Sequence, residues 1–114
     1  MTNDYYDLTV LSKMTGGDKA FLKHMVQLFL TEAPKQVEEM RVAIENQDWL
    51  ELGKTAHKIK STIKSMGIHS MIDDALSLEQ DGKNQTNLGM IEENFALFEA
   101  KFIHVVELLQ QEDL

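Results

Sequence analysis

At 114 residues the chain has the length of one domain, and 43% apolar residues suffice for a continuous core. Nineteen acidic against eleven basic residues give a formal net charge of −8, which argues against a surface built for nucleic acid or anionic lipid and points to protein partners. There is no cysteine, so neither a disulfide framework nor a thiolate zinc site is available. The opening residues MTNDYYDLTV lack the basic start and apolar run of a secretory signal, and no stretch approaches the roughly 20 apolar residues of a membrane span, so a soluble, cytoplasmic protein is expected.

One proline and six scattered glycines predict helices joined by short turns, with no strand-like alternation. Leu8 to about Met14 reads as a short helix closed by Thr15-Gly16-Gly17. Asp18 then caps a helix to about Ala33, with Phe21, Leu22, Met25, Leu28 and Phe29 at helical spacing. Pro34 lacks an amide hydrogen, so it either kinks this helix or opens a second one that ends near Asn46 and carries Val37, Met40 and Ile44.

Asp48 followed by Glu51 resembles a capping box and places a helix start at Trp49. Trp49, Leu52, Ala56, Ile59, Ile63 and Met66 alternate steps of three and four, so they share one buried face. Gly67 stops this helix, and Ile68 folds back over its last turn. Ser70 with Asp73 repeats the capping pattern for a helix with Met71 or Ile72, Ala75 and Leu78 inside, ending at Asp81-Gly82 before a polar loop over 83–87. The last helix, Leu88 to Gln110, carries Leu88, Ile91, Phe95, Phe98, Phe102, Val105 and Leu109 in one stripe. Such a stripe suits a dimeric coiled coil, but the chain offers its own amphipathic partners. The expected fold is therefore all-α, an antiparallel up-down four-helix bundle with short additional N-terminal helices. As a division of the chain, residues 1–114 form one domain, with a covering segment over about 1–33 and the bundle over about 34–112.

At 100° per residue His57 lies well over a quarter-turn from the buried stripe of its helix and faces outward. Leu50, Gly53, Lys54, Lys60, Ser61 and Lys64 share its face. Gly53 costs the helix roughly 1 kcal/mol relative to alanine, which suggests close approach by another protein. Lys54, Lys58, Lys60 and Lys64 crowd positive charge around the ring in an otherwise acidic chain. An exposed imidazole beside cations has what a phosphoryl carrier needs, because phosphoryl transfer depends on positioning and charge neutralisation. A solvated helix face with an incidental histidine is the alternative that spacing and charge alone leave open.

The segment Thr55-Ala56-His57-Lys58-Ile59-Lys60-Ser61-Thr62-Ile63-Lys64-Ser65-Met66-Gly67 resembles the signature of the histidine-containing phosphotransfer (HPt) family, A-H-x-L-K-G-S leading on to L-G. Leu8-Thr9, Thr15-Gly16-Gly17-Asp18, Phe29-Leu30-Thr31-Glu32-Ala33-Pro34, Leu78-Glu79 and Gly82 extend the likeness over most of the chain. The resemblance implies a four-helix bundle without kinase activity of its own, whose His57 takes a phosphoryl group from a receiver-domain aspartate and passes it to another receiver. It implies Lys60 as the cation beside the ring, and Ser61 stands where the family usually has glycine.

The expected site is then His57 as phosphoacceptor, Lys60 and Lys64 as charge stabilisers, and Leu50, Gly53, Lys54 and Ser61 as binding residues, Leu50 giving an apolar docking centre. Expected partners are receiver domains of response regulators or hybrid sensor histidine kinases, met by a monomer. No cofactor is expected in this chain, Mg2+ belonging to the partner receiver. A receiver-binding scaffold or inhibitor of the same fold that is never phosphorylated is the alternative. His24, His69 and His104 lack histidine neighbours at helical spacing, and Glu38-Glu39 and Glu92-Glu93 lack the Glu-x-x-His pattern, so no metal site is expected.

Overall fold

Asp18 and Asp48 set the starts of the two helices that lead to the site. Asp18 accepts from the Phe21 amide at 3.1 Å and Asp48 from the Glu51 amide at 3.3 Å. In the computed structural model, which describes residues 1–114, every regular element is helical. The order is α1 (Thr9–Met14), α2 (Lys19–Glu45), α3 (Trp49–Ser65), a 3-10 turn (His69–Met71), α4 (Ile72–Asn84) and α5 (Leu88–Gln110). Only half of the expected capping box forms, because the Asp48 amide is already bonded to the Ala43 carbonyl at 2.8 Å and does not call on Glu51. At the far end of α3, Gly67 takes φ +72°, its amide bonds to Lys64, and the amide of the buried Ile68 bonds to Ile63, a Schellman closure. No helix is long and apolar enough to cross a membrane.

One open alternative is decided and two expectations are corrected. First, of a kinked helix or a second helix opening at Pro34, the structure has one helix, α2, running through Pro34. An interior proline costs about 3 kcal/mol, but Phe29, Ala33, Val37, Met40 and Ile44 form one buried stripe across it. At roughly 1.5–3 kcal/mol for each large side chain buried, the stripe outweighs the proline. In the first half of α2 the buried residues are Leu22, Val26 and Phe29, while Phe21 and Leu28 stay largely exposed. Second, Ser70 does not cap α4. It sits in the 3-10 turn, where its amide bonds to the Tyr5 carbonyl at 3.2 Å, and the helix starts two residues later.

Third, α4 continues past Gly82 to Asn84 and closes on Gln85 at φ +54°. Gly82 is a contact glycine and not a terminator: a Cβ there would lie 2.7 Å from the Trp49 carbonyl oxygen and 2.8 Å from the Gly53 nitrogen. Gly53 returns the contact, since its Cβ would lie 3.0 Å from the Lys83 nitrogen. The backbones of α3 and α4 meet at this pair of glycines.

Helix α2 packs on α3 and α5, α3 on α4, and α4 on α5, so the four long helices close a ring. Across the interfaces Gly53 faces Lys83, Lys101 bonds to Asp74, Arg41 pairs with Glu99, and Phe29 meets Phe102. One buried cluster extends from Tyr6 to Leu109 and includes the α5 stripe from Ile91 to Leu109. The surface that a coiled-coil dimer would need is thus consumed within the chain; only Leu88 at its start stays partly exposed. Residues 1–8 cover the end where α3 finishes: Asp7 bonds to the Gly67 carbonyl at 2.9 Å, and Tyr6 and Leu8 are fully buried.

Burial of the Tyr6 phenol, then its hydrogen bond to Glu112 and that group's charge, push its pKa from 10.0 up to about 12. A folded pKa above the unfolded value means that stability is intact below pH 10 and lost as pH rises toward 12. Denaturation profiles of wild type and Tyr6→Phe should therefore converge by on the order of 2 kcal/mol over that window. Gly82→Ala should lower stability by about 2 kcal/mol in urea melts, because overpacking two backbones exceeds the roughly 1 kcal/mol that alanine contributes to helix propensity.

Candidate functional site

The glycine contact decides which side chains meet above it. His57 lies one turn beyond Gly53 on α3, and Glu79 one turn before Gly82 on α4, so the two project to the same place. Glu79 Oε2 lies 2.7 Å from His57 Nδ1, and Lys60 Nζ donates to Glu79 Oε1 at 2.5 Å. The imidazole side chain is 62% exposed, whereas Glu79 and Lys60 are mostly covered. A partly buried carboxylate thus holds the inner edge of an exposed ring.

Burial alone would raise the pKa of Glu79. The hydrogen bonds from Lys60 and His57, together with their charges, outweigh it and hold the carboxyl below its ordinary range. An ionised carboxylate can only accept, so Nδ1 carries the hydrogen of this contact, and in the neutral ring the lone pair sits on Nε2. Nε2 is the atom turned away from Glu79.

The expected site residues fall into distinct places. Leu50, with 56% exposure, lines an open cleft between α3 and α4 together with Lys54, His57, Lys58, Glu79 and Lys83. Ser61 is exposed on the other side of the ring, its hydroxyl donating to the His57 carbonyl at 3.3 Å. There it borders an apolar groove between α2 and α3 that includes Met25, Leu28 and Ser65. Lys64 is exposed without an ion pair and does not line the cleft with His57.

Two expected residues also have neighbours within the chain. Gly53 is buried against α4, to which it gives clearance, and it lines the cleft with His57 as well. Lys60 is no free cation beside the ring, because its ammonium is committed to Glu79. Glu79 itself was visible in the sequence only as part of a resemblance, with no role. It lies 22 residues from His57 on another helix, and only the register between α3 and α4 reveals it. The available signal was the pair of interior glycines, one on each of two successive helices. Lys83, expected in a loop, belongs to the last turn of α4 and lines the cleft. No group of three or more His, Asp or Glu side chains is arranged to hold a metal ion.

Residues 24–112 match the family model of the Hpt domain. Among solved structures, the chain is similar to the crystal structure of histidine-containing phosphotransfer protein B (HptB) from Pseudomonas aeruginosa PAO1. That match has a TM-score of 0.87 and 19% identity, covering 96% of this chain and 95% of that one. No curated protein sequence matches. The matched region runs from α2 through α5 and contains His57, Lys60 and Glu79, and on this match the chain belongs to the Hpt domain family.

Proposed function

We propose that the protein is a phosphorelay intermediary in which His57 accepts a phosphoryl group from a receiver-domain phosphoaspartate and passes it to a second receiver. The observation that carries this reading is the exposed His57 ring held at Nδ1 by an ionised Glu79. The Nε2 lone pair attacks phosphorus, an N–P bond forms, and the P–O bond to the donor aspartate breaks with the carboxylate leaving. The ring becomes a phosphoimidazolium whose positive charge lies against Glu79. In the onward step an acceptor carboxylate attacks, the N–P bond breaks, and the ring leaves neutral with its Nδ1 hydrogen still in place. Neither step needs a proton to move, so the carrier works in both directions.

Mg2+ and both carboxylates belong to the receivers, and the chain brings no cofactor or kinase activity of its own. Lys60 holds Glu79, Lys54 and Lys64 add positive potential, and Ser61 keeps its hydroxyl folded onto its own helix. Leu50 offers an apolar docking contact at one end of the cleft. The pairings across α3–α4, α4–α5 and α2–α5 support an antiparallel up-down order of the four long helices. We read residues 1–114 as one unit, monomeric and cytoplasmic.

Incubation with a radiolabelled phospho-receiver tests the reading. Acid-labile, base-stable label is expected on wild type and absent from His57→Gln, while Glu79→Ala should slow labelling on the order of tenfold or more with helical circular dichroism unchanged. Receiver binding without label on wild type would instead favour a scaffold. Leu50→Asp should weaken receiver affinity by about tenfold in titration calorimetry, again without loss of helicity; unchanged affinity removes Leu50 from the docking face.

A further inference from the structure

The distribution of ion pairs is uneven. Of the eleven basic residues, Lys35, Arg41, Lys60 and Lys101 are paired with carboxylates. Lys13, Lys19 and Lys23, near the start of the chain, carry no ion pair, and the remaining four unpaired lysines are Lys54, Lys58, Lys64 and Lys83. Three of these, Lys54, Lys58 and Lys83, line the cleft that contains His57. Acidic residues are in surplus elsewhere, as in the groove at the α2–α3 turn lined by Glu38, Glu39, Asp48 and Glu51. The only carboxylate in the lysine cleft is Glu79, and it is already committed to His57 and Lys60.

On α3 the two cleft lysines, Lys54 and Lys58, form a like-charge pair at i,i+4, an arrangement that destabilises a helix. Solubility does not require it in a chain of net charge −8. That same net charge works against nucleic acid or an anionic membrane as the occupant. At one end of the cleft the exposed Leu50 supplies an apolar surface that would exclude water from a docked partner.

We infer that the α3–α4 cleft recognises carboxylate side chains on the receiver partner, next to its phosphoaspartate, through Lys54, Lys58 and Lys83. This rests on the relay reading and adds to it the partner chemistry that the surface selects. Cations at the rim of an interface act on encounter and partner choice more than on residence time, so the effect should appear in the transfer rate and its salt dependence. Receivers with an acidic rim are favoured on one side of the ring, leaving the apolar α2–α3 groove to meet their uncharged surface on the other.

The test uses the full chain and a panel of purified, phosphorylated receiver domains, grouped by the charge of the surface around their phosphoacceptor aspartate. A variant carrying Lys54→Gln, Lys58→Gln and Lys83→Gln is compared with wild type, with circular dichroism and thermal melts showing that the fold is intact in both. Transfer from acidic-rimmed receivers should fall on the order of tenfold in the variant, and the wild-type rate should fall steeply between 50 and 300 mM NaCl, roughly as expected for steered association. Equal rates in variant and wild type with those receivers would overturn the inference. A wild type that phosphoramidate labels but no receiver does would overturn the relay reading itself, which is a different result.

Discussion

The close approach of α3 and α4 at Gly53 and Gly82 is the constraint on which the site depends. With a Cβ at Gly82 the nearest atoms of Trp49 and Gly53 would sit under 3 Å away, so the two backbones meet only because neither residue has a side chain. One turn further along, the same spacing lets the short Glu79 side chain reach both His57 and Lys60. A wider crossing would leave the carboxylate short of the ring. Packing and chemistry are therefore set by the same two residues, and the helix-propensity penalty of an interior glycine on each helix is offset by what it allows the next turn to do.

The charges above that contact form a graded arrangement. Lys60 and Glu79 neutralise one another under partial cover, which fixes the carboxylate as an acceptor and therefore the side of the ring that carries hydrogen. The unpaired lysines stand further out, on the cleft wall and along α3. A short-range pair orients the ring, while the outer ammonium groups act at longer range and are screened by salt. The two sets of lysines look alike in the sequence and do different things in the fold.

Much of the fold was legible because helix periodicity and caps are local. The α3 stripe, the Asp18 and Asp48 caps, the Gly67 closure and the full extent of α5 all follow from residues within a few positions of one another. Where the reading failed or left two alternatives open, contacts beyond the local segment decided the outcome. Pro34 is carried by a buried stripe on both sides of it, Ser70 is drawn into a turn by Tyr5, and Gly82 stops nothing because α3 lies against it. At the site, the outward placement of His57 could be read from angle alone. The commitment of Lys60, the burial of Gly53 and the role of Glu79 could not, since each depends on which turn of α4 faces which turn of α3.

This division of charge bears on what a carrier must avoid. An intermediary has to release its phosphoryl group as readily as it takes it, so the carrier should not be a deep energy minimum for the phosphorylated state. A free ammonium held rigidly against the phosphoryl oxygens would create such a minimum, because a close, partly desolvated cation–anion pair is worth far more than an exposed one. In this protein the most covered of the lysines around His57, Lys60, is instead satisfied by Glu79. The lysines left free are exposed, where their attraction for phosphate is weak and shared with solvent. Orientation of the ring is thereby separated from stabilisation of its cargo, which is the condition for relaying a group without retaining it.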